Sequence, residues 1–405
     1  LVFFYAKQVP LVEDVGKRVI VGVGRVKSIG ALTEYDYDGN PDGKIRSLLW
    51  ERMVVHSIRP DMVDGFLMPY HEALESSEDG IAFDPAEVVA YAPEDRFDEF
   101  SYATEHVSHD AAISALLSCR AALLKSSEFF NFDSSKQERW IDNELGRLWQ
   151  KRGPFPGFGS ILSATGVAMG NFIGQVLSDR VGENGSVWDA WDQTLNDPES
   201  FLPKELSRHI DSTIARSWQV MSAERRSFLE LLSRIDLSLG QANIITTPET
   251  RKEYGIEVTD ASLIMNPYLL YEATRLTTSQ IDVDRVDRGV FPTGFVREKF
   301  PIPEPAQVKT AVDSRRLRAL CIRELERATN LGHTLLSRES IITNLRKGDA
   351  ERGEESLNVT GDLLAVAEES FADEIKVVEM ADGSPAYQLG RYASAGDLVR
   401  STVLK

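Results

Sequence analysis

Cysteine is almost absent: two residues in 405, Cys119 and Cys321, far apart in segments with helical spacing. Neither a disulfide framework nor a zinc site can be built from such a pair, and both fit small core positions. Long apolar runs are missing as well. None approaches the roughly 20 residues that span a bilayer, and no signal peptide precedes the first strand-like segment, so a cytoplasmic chain without membrane contact is expected. Positive charge is in deficit, with 45 Lys and Arg against 63 Asp and Glu and a formal net charge of -18. Such a chain does not coat nucleic acid by bulk charge, although a local basic groove stays open to it.

Nucleotide loops are missing too. The segment GVGRVKS at 22–28 superficially resembles one, but Val26 stands where a P-loop needs its second glycine, and Lys27 takes the place of the third glycine of a dinucleotide loop. It reads as a strand whose glycines allow close packing or a bulge. With no other candidate for a phosphate-binding loop, the chain is not expected to hydrolyse ATP by itself. No Ser-His-Asp, Cys-His or paired-carboxylate arrangement stands out by local spacing.

What is present is a soluble-type composition, 42% hydrophobic and 27% charged, on a chain long enough for two to four compact units. Strand-like clusters (LVFFYAK, RVIVGVGRVKSIG, LLWERMVVHSI) fill the first 70 residues, and residues 81–100 are acidic and broken by Pro85 and Pro93. From Ser108 the apolar spacing becomes three and four, that of helices. After the linker-like FPIPEPAQ at 300–307, three amphipathic segments, the second capped by Ser337, precede two strand-like runs around an Asp-Gly turn. That is the element order of a winged helix. The fold class expected is α+β, mainly α. The divisions expected are an N-terminal α+β or β-rich unit over 1–100, a helical region over 101–220, a second over 221–300, and a winged-helix-like unit over 311–395.

Two stretches invite a chemical reading. EHVSHD at 105–110 sets His106 and His109 one helical turn apart, a spacing that suits two metal ligands or a nuclease acid and base. A helix start capped by Ser108 or Asp110 is the favoured reading, since no further ligand cluster accompanies the pair. The second stretch is KRGPFPGFGSILSATG at 151–166. Here Arg147, Lys151 and Arg152 end one helix, while Gly157, Phe158, Gly159 and Ser160 open the next. If the glycine N–H groups face outward, such a turn with a helix N-terminus behind it holds a phosphate without touching bases, as a helix-hairpin-helix does. The plainer reading has Phe155 and Phe158 plugging a core and the glycines only permitting the turn. The local sequence leaves both open.

Downstream, FLELLSRIDLSLGQANIITTPETRKEYG leads to Asn266-Pro267-Tyr268 and then to IDVDRVDRGVF with Asp284 and Asp287. Further on, LRALCIRELERATNLGHTLLSRESII carries Gly332, His333, Thr334, Leu336 and Arg338 to Ser340. In this order and spacing, over about residues 145–395, the chain resembles the region ahead of the motor in RecD-like superfamily 1 DNA helicases. The resemblance implies tandem helix-hairpin-helix elements that grip DNA backbone without sequence specificity, at single-stranded or forked DNA. It places a second contact at Ser238, Leu239, Gly240 and Gln241. It also implies a winged element packed on motor domains beyond Lys405, which would supply ATP and Mg chemistry. No cofactor is expected in this chain itself. The segment VTGDLLAVAEESF, with three acidic residues and no basic one, suits packing better than entry into a DNA groove. A rival expectation is an acidic scaffold that docks a basic partner such as a nuclease subunit.

Overall fold

The computed structural model describes the whole chain except residues 13–15, 35–49, 58–62, 101–106, 183–184, 293, 352–356, 373 and 404–405. It is mainly helical, with two small antiparallel sheets, and divides into two compact units, Leu1–Lys151 and Arg152–Lys405.

The first unit is built on β1 (Val2–Ala6), β2 (Val19–Glu34), β3 (Trp50–Ser57) and β4 (Gly65–Leu67), with the long β2 pairing all three others. The β-branched run at the start of β2 favours extended backbone and buries Ile20 and Val23 completely. GVGRVKS therefore lies in a strand, as its composition suggested. Gly24 faces Gly65, where an added Cβ would stand 2.2 Å from the Val23 carbonyl oxygen, so β4 lies closer than a side chain permits. Helix α1 (Tyr70–Glu78) follows. The acidic 81–100 stretch is an irregular edge, tied to the start of β2 by Ile20 N–H to the Ala90 carbonyl (2.8 Å) and to the residue before it by Ala92 N–H to the Arg18 carbonyl (2.9 Å). Helix α2 (His109–Phe129) is capped by Ser108, whose hydroxyl accepts from Ala111 N–H. It buries Ala111, Ala115, Leu116, Cys119 and Leu123 in a core shared with Trp140 and Ile141 of α3 (Ser135–Arg152).

The second unit opens with α4 (Phe158–Ala164), α5 (Gly170–Val181) and α6 (Val187–Asn196). Short helices α7 (Pro198–Phe201) and α8 (Lys204–Ser207) lead to α9 (Ser212–Gln219), α10 (Ala223–Ser233) and α11 (Leu239–Thr246). Then come α12 (Pro248–Glu253), α13 (Asp260–Met265), α14 (Leu269–Thr274), α15 (Val283–Val290) and α16 (Gly294–Lys299). Side-chain caps start many of these, among them Asp211, Ser222, Ser238, Thr259 and Asp282, so the chain turns where the sequence supplies an acceptor. The core is aromatic. Phe158 meets Trp188 edge-on (5.0 Å), and Trp218 packs on both Trp188 (5.8 Å) and Trp191 (5.5 Å). Burying roughly 150–250 Å² for each ring contributes about 4–6 kcal/mol apiece before entropy is subtracted.

The C-terminal part runs α17 (Ser314–Asn330), β5 (Leu336–Ser337), α18 (Arg338–Glu351), α19 (Gly361–Ala367), β6 (Ile375–Glu379), β7 (Pro385–Leu389) and α20 (Gly390–Val403), with strand order β5-β7-β6. Ser337 accepts from Ser340 N–H as the expected cap of α18. Strand β5 escapes sequence reading because two residues are too few to show alternation.

Candidate nucleic-acid interface

The residues expected to touch DNA fall in both units. In the first, Arg147 and Lys151 are exposed near the end of α3, and Arg147 Nη1 pairs with Glu144 Oε1 at 2.8 Å. That carboxylate also binds Arg25, which lies over the Trp140 ring.

In the second unit the first loop corrects the picture of an outward-facing cradle. Arg152 is 5% exposed, and its guanidinium donates to the Gly153 and Arg234 carbonyls, both at 3.3 Å. Gly153, the next residue, has φ +62, in the left-handed region that favours glycine. Gly157 N–H donates to the Ser233 carbonyl (2.9 Å) at the end of α10 and does not face solvent. Its φ of -85 suits any residue. Space is what demands glycine, because a Cβ there would stand 2.1 Å from the Ile235 carbonyl oxygen. Phe158 is 1% exposed, a core residue and not a DNA contact. Gly159 faces Gly174 where α4 crosses α5: a Cβ on Gly174 would come within 2.7 Å of the Gly159 Cα. Ser160 is half-buried on the same helix. The loop thus follows the plainer reading, with aromatic plugs and glycines that let helices close up.

The second predicted contact lies beside the first, since Gly157 is bonded to Ser233 and abuts Ile235 in the turn that leads to Ser238. Ser238 caps α11 by accepting from Gln241 N–H, and the Gln241 side chain returns to Ser238 N–H and reaches the Gln280 carbonyl (2.6 Å). Both side chains are thereby consumed in holding the turn. Leu239 and Gly240 are exposed, and as first-turn residues their N–H groups have no intrahelical acceptor. Apart from its chain neighbours and its own helix backbone, an added Cβ on Gly240 meets only Ser238 Oγ, at 3.9 Å, among the described residues.

Residues from separate motifs meet in the interior. The Tyr268 hydroxyl donates to Asp287 Oδ1 (2.6 Å), and Arg316 clamps both oxygens of Asp287 at 2.8 Å. Burial and the Asp287 charge hold the Tyr268 phenol well above its ordinary pKa. Asn266 Oδ1 accepts from Tyr268 N–H (3.2 Å), and Asp284 pairs with Arg323 (2.8 Å). Sequence reasoning missed Arg316; its signal was a basic residue on the apolar face of α17. Gly332 has φ +86, and His333 N–H donates to the Ala328 carbonyl, which closes α17. Arg338 joins the Tyr387 hydroxyl and Glu368.

His109 is the first residue of α2, next to its Ser108 cap, while His106 lies outside the described residues. No group of three His, Cys, Asp or Glu suited to a metal occurs among the described residues, and none of the described helices is long and apolar enough to cross a membrane. Comparisons with protein-family models, curated proteins and solved structures found no match.

Proposed function

We propose that this chain is a DNA-gripping accessory region of a RecD-like DNA helicase, whose ATP-driven motor is a separate domain. The observation that carries the reading is the meeting of Tyr268 with Asp287. Both belong to motifs among those on which the resemblance rests, 19 positions apart, and they share one buried hydrogen bond. Two further features support it. Three helices with a three-stranded sheet in the order β5-β7-β6 have the connectivity of a winged helix. The two turns assigned to helix-hairpin-helix elements lie side by side.

The grip in this reading narrows to the exposed start of α11, where the Leu239 and Gly240 amides offer donors to a phosphate. Gly240→Asp tests it cleanly. A carboxylate in a first helical turn favours the helix, yet it repels DNA at that turn. Anisotropy of labelled single-stranded and forked DNA at two salt concentrations should show binding to the parent chain that weakens as salt rises. The variant should bind at least about ten-fold more weakly with thermal stability no lower than the parent's. Equal binding by both proteins would remove the proposed grip, and no binding by the parent would remove the DNA reading.

A further inference from the structure

A cleft of about 600 Å³ opens in the second unit between α6, α10 and the Phe300–Ala306 stretch. Its volume is that of a ligand site, and its walls include the rings of Phe155, Trp188 and Phe300. Lining the same cleft is Arg234, 7% exposed, whose guanidinium donates to the Phe300 (2.8 Å) and Pro301 (3.2 Å) carbonyls and lies over the Phe155 ring. No carboxylate pairs with it among the described residues, and burial pushes the guanidinium down to about 10. Two carbonyl bonds leave three of its five N–H donors for another acceptor.

Carboxylates outnumber cations in the remaining charge around the cleft, where Lys299 lies over the Phe300 ring and Glu304 pairs with Lys309. Asp189 and Glu224 are exposed lining residues without an ion-pair partner among the described residues, while Arg226, also in the lining, is neutralised by Asp192 and Glu230. Among the described residues, one cleft therefore holds a buried guanidinium that no carboxylate bonds, with Glu230 the opposite charge acting on it, and two exposed carboxylates that form no ion pair. A nucleic-acid backbone fits this pattern badly, because its phosphates would meet the acidic residues. The complement is an anion that carries a cation and an apolar group close to it.

We propose that this cleft binds the carboxyl terminus of a partner protein that ends in an apolar residue followed by lysine or arginine. The terminal carboxylate bonds to Arg234, which then donates bidentately where it now has free N–H groups. The basic side chain lies toward Asp189 and Glu224, and the apolar side chain packs on Phe155, Trp188 and Phe300. This goes beyond the DNA reading and does not depend on it.

The test uses the whole chain and N-terminally fluorescein-labelled hexapeptides ending in Leu-Lys, measured by anisotropy. The free acid should bind saturably, and its C-terminal amide at least about ten-fold more weakly. Arg234→Gln should abolish the difference between acid and amide. Asp189→Asn with Glu224→Gln, both at exposed positions, should weaken the Leu-Lys peptide while leaving a Leu-Gln peptide unchanged. Equal binding of acid and amide by the parent chain would overturn the proposal even if Arg234→Gln failed to fold. So would an absence of saturable binding, or full displacement of the peptide by short single-stranded DNA with Gly240→Asp restoring it.

Discussion

Gly157→Ala puts the close approach of the two turns to the test. The added Cβ would stand 2.1 Å from the Ile235 carbonyl oxygen and 3.3 Å from that of Leu232, both of them backbone atoms that cannot swing aside. The turns would have to part by roughly 1 Å to restore ordinary contact, and interiors packed to crystal density transmit such a shift. Overpacking of this kind costs about 1–3 kcal/mol. The Gly157 to Ser233 hydrogen bond adds about 1 kcal/mol if it breaks. A loss of about 2–4 kcal/mol is expected, lowering the melting temperature of this unit by roughly 2–4 °C for each kcal/mol. Gly240→Ala is the control, since its surroundings are open and alanine is the better helix former, so it should be neutral or stabilising by up to about 1 kcal/mol. Urea and thermal unfolding followed by tryptophan emission report on this core, which contains Trp188, Trp191 and Trp218. If Gly157→Ala unfolds together with the parent chain, the close approach is refuted; if both substitutions cost the same, the cause is loss of glycine and not the clash.

Other consequences can be checked alongside. Asp287→Ala leaves Arg316, fully buried, without its bidentate partner and should cost about 3–5 kcal/mol in urea denaturation. Adding Arg316→Met should return at least half of that loss, and a double variant no better than the single would show that the charge was not the cause. Burial pushes the Cys119 thiol up to about 12 and raises that of Cys321 as well. A thiol-specific chromogenic reagent should therefore label neither cysteine in the native chain and both in urea, so rapid native labelling of either would contradict its burial. Ser238→Ala removes the cap of α11 and should cost about 1 kcal/mol, with local hydrogen exchange over 239–242 rising as the direct readout.

Elements with local causes were legible beforehand. Ser108 and Ser337 mark helix starts because the cap is made by an oxygen within three residues of its donor. The Asp382-Gly383 turn announces the β6–β7 hairpin for the same reason, with Gly383 at φ +82. The candidate site was legible only in part. Ser238 to Gln241, expected as a DNA contact, form a capping box, and KRGPFPGFG, open in sequence between a phosphate cradle and a plain turn, folds as a packing knot. A glycine reads alike in sequence whether it serves a positive φ, an outward amide or a close approach. At Gly157 the neighbour across the turn decides, and it lies about 78 residues downstream.

The sequence by itself determined the periodicities, the caps, the absence of a nucleotide loop and the placement of both cysteines in helices, because each depends on residues a few positions apart. Tertiary structure alone decided that Arg152 turns inward, that Tyr268, Asp287 and Arg316 share one buried network, and that Arg234 bonds backbone carbonyls in a cleft edged with carboxylates. Whether a charge is paired, buried or free depends on distances between segments remote in the chain, and no local pattern encodes those distances.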